Sequence, residues 1–267
     1  MSPRIAAAGM IAAALALALA CAGCEDAGPA PSPSSRSADG PLRIAVIPKA
    51  VNLEYWKAIH AGAVKARREL EGVTVLWKGA PKENDREQQI SIVENFVNAG
   101  VSGIVIAPLD ETALVRPLRE AVRAGIPVVI MDSDLRGEPG RDYVSYVATD
   151  NAAAGRRAAR HMGELLAGRG RVIVMRYQVG SGSTTQREDG FLEGLAECCP
   201  GIQVVSSDQY AGPTTETGMT KAENLLSRFP DVDGVFCACE PIAWGCLLYT
   251  SDAADDLLCV DLGGRRI

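Results

Sequence analysis

Histidine, aromatic residues and long apolar runs are all scarce in this chain of 267 residues. The two histidines, His60 and His161, each fall inside a helical pattern with no second group at catalytic spacing. His161 and Glu164, and Cys237 and Cys239, have loose metal-ligand spacing, but neither has the matching second pair that a zinc site needs. No G-x-S-x-G elbow, Walker loop or complete G-x-G-x-x-G is present, because GSGSTT lacks both the final glycine and the lysine. An enzyme, a metal and a cofactor are therefore not expected. Positive charge is also thin: 27 Lys and Arg stand against 33 Asp and Glu, for a net charge of −6. Without a basic stripe to neutralise a phosphate backbone, nucleic acid is not an expected partner. With 47% hydrophobic and 22% charged residues, a soluble globular protein with a sizeable core remains.

The apolar run from Ile5 to Ala20 follows Arg4 and is shorter than the roughly 20 residues of a spanning helix. Residues 1–20 read as a secretory signal. The end of that run, Leu17-Ala18-Leu19-Ala20-Cys21, resembles a bacterial lipobox, which makes Cys21 the expected lipidation site and Cys24 the second choice. Residues 21–40, rich in Pro, Ser, Ala and Gly, read as a flexible tether. The implied order is lipid, leash, folded domain.

At the other end the periodic pattern is expected to stop at Gly245. Residues 246–255 and 259–267 resemble the translation of a short-read library adapter and of its flow-cell primer, with an index-sized gap between them. Residues 246–267 are accordingly expected to be non-native, and the chain to be a fragment whose last native residue is Gly245. Of the eight cysteines, Cys198, Cys199, Cys237 and Cys239 then remain within the fold. Export permits disulfides, three pairings are open, and the vicinal pair Cys198-Cys199 is a poor candidate.

From Leu42 onward, short β-branched runs alternate with helical patterns. Strands are expected at 42–48, 73–77, 103–107 and 127–131, with helices near 54–70, 85–98 and 111–124. In the second helix Ile90, Val93 and Val97 repeat at three- and four-residue steps, the signature of a helix packed on a sheet. After the pause at 133–142 a second run begins, with strands at 143–148, 171–176, 202–207 and 233–237 and helices near 151–167, 185–197 and 215–228. Repeated βα units predict an α/β fold of two doubly wound, Rossmann-like parallel-sheet lobes. The expected boundaries are 41–148 and 149–245, with the second lobe incomplete.

In such sheets ligands sit beyond the carboxyl ends of the strands. The segments to inspect are 49–56, 107–110, 132–133, 149–151, 177–187 and 237–240. Tyr55 and Trp56 offer flat aromatic faces to an apolar sugar or nucleoside surface, or pack at a helix start. Asp132 ends a buried strand, where its carboxylate needs vicinal hydroxyls or a helix N-terminus as partner. Arg187 follows the loop GSGSTTQ, and its planar fork suits a polyol or a carboxylate, or faces solvent.

The segments IPK…EYWKAIHAGA, REQQISIVENFVNAGVSGIVIAPLD, AGIPVVIMDS, VATDNAAAGRRAA, TTQREDGF and FPDVDGVFCACEPIAWG, in this order and spacing, resemble the periplasmic sugar-binding proteins of the ribose-binding type, the solute-binding subunits of ABC importers. The resemblance covers nearly all of 42–245 and implies two lobes closing on a ligand. It places Tyr55 and Trp56 on the aromatic pair that sandwiches a sugar ring, Asp132 on the aspartate that grips hydroxyls, Thr149 on a polar contact at the lobe crossing, and Arg187 on the arginine that binds hydroxyls or ring oxygen. Lys49, Asn52, Ser133, Cys239 and Glu240 complete the expected ligand-binding set. Ala107, Cys239, Leu53, Glu54 and Lys49 stand where the ribose binders carry other residues, mostly amides, and these departures point away from ribose itself.

The resemblance implies a small sugar or polyol ligand, an ABC permease with its ATPase as partner, a membrane reached through the lipid anchor, and a monomer. The alternative partner is a signalling receptor or kinase, to which a lipid-anchored sensor presents its closed form. A repressor of the LacI type, which shares the fold, is excluded by the export signal where a helix-turn-helix would stand.

Overall fold

The computed structural model describes residues 40–255. The signal, Cys21, Cys24, nearly all of the tether, and residues 256–267 lie outside the described residues. Eight strands and seven helices alternate: β1 (Leu42–Ile47), α1 (Glu54–Glu69), β2 (Val73–Trp77), α2 (Arg86–Asn98), β3 (Gly103–Ile106), α3 (Val115–Arg123), β4 (Val128–Met131), β5 (Ser145–Val147), α4 (Asn151–Leu165), β6 (Gly170–Arg176), α5 (Gly182–Cys198), β7 (Ile202–Tyr210), α6 (Thr215–Arg228), β8 (Gly234–Cys237) and α7 (Glu240–Asp255).

The strands form two sheets, β2-β1-β3-β4-β5 and β7-β6-β8, and every pair is parallel. Alternation along the central strands explains the layers. In β1, Ala45 and Ile47 join a core with Ile92 and Val93 of α2 and Leu118 and Ala121 of α3, whereas Ile44 and Val46 face a groove beside Ile59 and Ala63 of α1. In β6, Val172 and Val174 pack with Ala159 of α4 and with Phe191 and Leu195 of α5, while Ile173 and Met175 pack with Ala222 and Leu225 of α6 and Ile242 of α7. Each sheet is therefore the middle layer of a helix–sheet–helix sandwich, and the near-continuous apolar strands follow from burial on both faces.

The strand expected at 143–148 follows the pause in the sequence and pairs with β4, as the edge of the first sheet. Its approach is fixed by Asp142, whose buried carboxylate accepts from Arg119 Nε (2.6 Å) and from the Glu138 amide (2.9 Å), pinning the loop after β4. Helix α3 begins at Val115 rather than 111, because Asp110 Oδ1 takes the amides of Thr112 and Ala113 into a turn first. Helix α7 runs past Gly245. The reason is legible in hindsight: Ile242, Cys246 and Tyr249 repeat at four and three residues, and all three pack on the core beneath α6. Among the described residues, Cys198, Cys199, Cys237, Cys239 and Cys246 are free thiols.

Helices α4 and α5 touch backbone to backbone. A Cβ on Gly155 would lie 2.2 Å from the Arg187 carbonyl oxygen, and one on Gly190 would lie 2.4 Å from that of Ala152. Only glycine fits at this crossing.

The Arg119 and Arg141 guanidinium groups and the Glu138 amide hold the Asp142 carboxyl well below the usual carboxylate range. A depressed folded-state pKa contributes stability that is complete above the unfolded value of about 3.9 and is lost as pH falls through the folded value. Asp142→Asn is therefore expected to lower the melting midpoint at neutral pH and to flatten its dependence on pH below about 4. Melting curves of parent and variant from pH 7 to pH 2 check this, and parallel acid limbs would remove Asp142 as a contributor.

Candidate functional site

The carboxyl ends of β1, β4, β6 and β8 deliver Lys49, Asp132, Tyr177 and Cys239 to one region. The first turns of α1, α5 and α7 add Tyr55 and Trp56, Ser183 and Thr184, and Glu240 and Pro241. Together with Leu53, Glu83 and Arg187 these residues line a cavity of about 130 Å³ between the two sheets.

Asp132 sits immediately after β4 in the left-handed region, at φ 62°, a conformation that Asp adopts more readily than most residues. Its amide donates to Val147 O, and its side chain accepts from Tyr55 OH at 2.7 Å and lies 3.8 Å from Lys49 Nζ. Burial, then the Asp132 carboxylate, push the Tyr55 phenol upward, so it remains a donor. Lys49, only 3% exposed, also donates to Ser181 Oγ (3.1 Å) and Ser183 Oγ (3.3 Å). Ser133 lies behind the wall, fully buried, with its Oγ donating to Ser183 Oγ and accepting from the Ser183 amide, both at 3.1 Å.

Arg187 is held from two sides. Its Nε donates to Asn151 Oδ1 (2.8 Å) and one terminal nitrogen to Ala238 O (2.7 Å). Glu83, 9% exposed, accepts from Trp56 Nε1 and from Tyr177 OH, one donor from each half of the molecule. Burial first, and then the Glu83 charge, push the Tyr177 phenol far up. Burial also pushes the Cys239 thiol up to about 12, so it stays protonated and is no nucleophile. The buried Gln89 fixes the neighbouring strand ends, donating to Pro48 O and Ala107 O and accepting from the Leu109 amide.

Seven of the ten expected ligand-binding residues thus meet in one cavity: Lys49, Tyr55, Trp56, Asp132, Arg187, Cys239 and Glu240. The other three do not line it: Ser133 lies behind its wall, and Asn52 and Thr149 fall elsewhere. Asn52 is exposed and lines a separate depression with Lys82 and Pro213, because it precedes the helix start at Leu53. Thr149 lies along the outer side of α4 with Ala153 and Arg157, since Asp150 caps that helix and turns the chain before it. The aromatic pair is also not two parallel plates. Tyr55 and Trp56 meet edge to face, at 4.9 Å and 76°, so they form a corner against which one face of a ring can lie. Consecutive residues on a helix diverge by about 100°, which rules out a sandwich between them.

Glu83 lies outside every segment expected to meet ligand, whereas Tyr177, Ser183 and Thr184 belong to the segment 177–187 without being singled out in it. Glu83 belongs to the loop after β2, where the strand-end rule applied as well as it did elsewhere. Ser183 and Thr184 enter because α5 begins at Gly182, so the loop GSGSTT supplies its first turn.

Residues 44–261 match the family described as periplasmic binding protein domain. The chain belongs to that family. It is a binding protein and not an enzyme, as are the relatives. The ribose import binding protein RbsB of Bacillus subtilis is 28% identical over 234 residues, which span 88% of this chain and 73% of that protein. Among solved structures, an ABC transporter solute binding protein from Agrobacterium vitis with bound D-fucose is similar at TM-score 0.76 and 34% identity, over 79% of this chain and 72% of the other. A carbohydrate transporter solute binding protein from Agrobacterium radiobacter in complex with D-arabinose follows at 0.75 and 33%, over 80% and 72%. The cavity lies beyond the carboxyl ends of strands from both sheets. Among the described residues no helix is long and apolar enough to cross a membrane.

Proposed function

We propose that this periplasmic binding protein captures a small neutral sugar or related polyol in the cavity and delivers it to an ABC permease with its ATPase. On this reading 41–148 and 149–245 are lobes that close on the ligand, and the protein is a monomer held at the membrane by lipid on Cys21 and the tether of 21–40. The observation that carries the proposal is the charge balance of the lining. Lys49 and Arg187 stand against Asp132 and Glu83, with Glu240 exposed at the rim. With Glu240 left to solvent, two cations balance two carboxylates, so the inner lining supplies donors and acceptors for hydroxyls but no surplus charge for an ion. Tyr55 adds an apolar face suited to one side of a sugar ring. The relatives named for ribose and allose, and the solved structures holding D-fucose and D-arabinose, support a neutral monosaccharide.

Calorimetric titration tests it. In a protein whose second lobe is complete, at least one of D-ribose, D-allose, D-arabinose and D-fucose is expected to bind saturably at a single site. D-gluconate and D-glucosamine are expected to bind on the order of a hundredfold more weakly, because each would bury one unpaired charge. Preference for either charged sugar, or no heat with any neutral one, would overturn the proposal.

A further inference from the structure

Lys49 was expected to contact ligand, yet its ammonium group is already committed. It has three protons, and three acceptors surround it: Ser181 Oγ at 3.1 Å, Ser183 Oγ at 3.3 Å and Asp132 Oδ2 at 3.8 Å. Two of these belong to the start of α5, on the second-sheet half, while Lys49 follows β1 in the first. The contact is dry. Lys49 is 3% exposed, Ser183 2%, and Ser181 and Ser133 are fully buried. Ser133 adds a second crossing, with both its bonds to Ser183. A buried ammonium is costly unless each proton has a partner, and here two of the partners exist only while the halves are together.

We infer that Lys49 is a clamp rather than a ligand contact: it sets the balance between the open and closed cleft, and acts on ligand affinity through that balance. This rests on the sugar-binding reading only for its effect on affinity; the closure itself needs no ligand. The physical logic is a differential one. When the halves part, the ammonium keeps Asp132 and regains water but loses both serines, so every bond it makes across the cleft favours the closed state alone. Lys49 lines the cavity, but its protons go to protein acceptors, so what it adds to affinity through closure is common to all ligands. A residue that binds hydroxyls discriminates among them.

The test is small-angle scattering of the ligand-free chain and of Lys49→Ala, Lys49→Met and Ser183→Ala, alongside calorimetry with D-ribose, D-allose, D-arabinose and D-fucose. The radius of gyration is expected to rise in all three variants. Affinity for every sugar that binds the parent is expected to fall by one common factor, on the order of tenfold or more in the lysine variants, with the order of preference unchanged. Ligand-free dimensions unchanged in the variants would overturn the inference, and so would a reordered sugar preference in Lys49→Met. If no sugar binds even the parent, the sugar-binding reading falls, while the scattering still decides the clamp. If the lysine variants lose cooperative melting, Ser183→Ala, which removes one acceptor and leaves the ammonium, carries the test.

Discussion

Asp132→Ala is expected to weaken monosaccharide binding by about 1.5–3 kcal/mol, a rise in dissociation constant of roughly ten- to a hundredfold or more. The carboxylate is the acceptor at the centre of the cavity. It takes the Tyr55 phenol at 2.7 Å and faces the Lys49 ammonium at 3.8 Å. Removing it takes away the acceptor of the Tyr55 phenol and the counter-charge of Lys49, which keeps its two serine partners, in addition to any ligand hydroxyl it would hold. The alanine variant carries a second cost that must be kept apart from binding. At φ 62° an alanine is strained by about 1–2 kcal/mol, whereas asparagine tolerates this conformation. Asp132→Asn is therefore the cleaner probe: it should melt near the parent temperature yet lose affinity, because only the charge has changed. Calorimetry and melting on both variants separate the two contributions. An unchanged dissociation constant in Asp132→Asn would take the carboxylate charge out of the site.

Gly155→Val is expected to be the most destabilising single change at the α4–α5 crossing. A Cβ at this position meets Arg187 O at 2.2 Å and Phe191 N at 2.7 Å, and both are backbone atoms that have no rotamer to escape into. Overpacking a tight core costs about 1–3 kcal/mol, and a backbone clash belongs at the upper end. For a chain of this size that corresponds to a melting midpoint lower by roughly 6–12 °C. Affinity should fall with it. The atom struck is the carbonyl of Arg187, so α5 must shift, and with it the guanidinium held by Asn151 and Ala238. Gly62→Ala in α1 is the control, because its Cβ meets nothing within 4 Å and alanine is the better helix former. Equal melting of parent and Gly155→Val would refute the close approach.

Periodicity was enough to place the strands, and all helices but α7 near their observed bounds, because both faces of each sheet demand apolar residues at fixed spacing. The strand-end rule then brought Lys49, Asp132 and Arg187 into view from three separate segments. What stayed hidden depends on partners distant in sequence. The loop holding Glu83 reads as a polar turn, and its burial is set by Trp56 and Tyr177, 27 and 94 residues away. Lys49 reads as a polar residue at a strand end, and only the position of Ser181, 132 residues on, turns it into a bridge. Edge strand β5, with three residues, has too little pattern to declare its neighbour, and Arg119, 23 residues upstream of Asp142, fixes its approach.

The bond between Trp56 and Glu83 has an optical consequence. Trp56 is one of three tryptophans, it is 2% exposed, and its indole N–H rests on a carboxylate that Tyr177 grips from the opposite half. Separating the halves takes the tyrosine away and lets water reach the ring, and the emission of an indole moves to longer wavelength as it is hydrated. On the proposed opening of the cleft, Trp56 is therefore a built-in fluorescent gauge, buried in the cavity wall and needing no label.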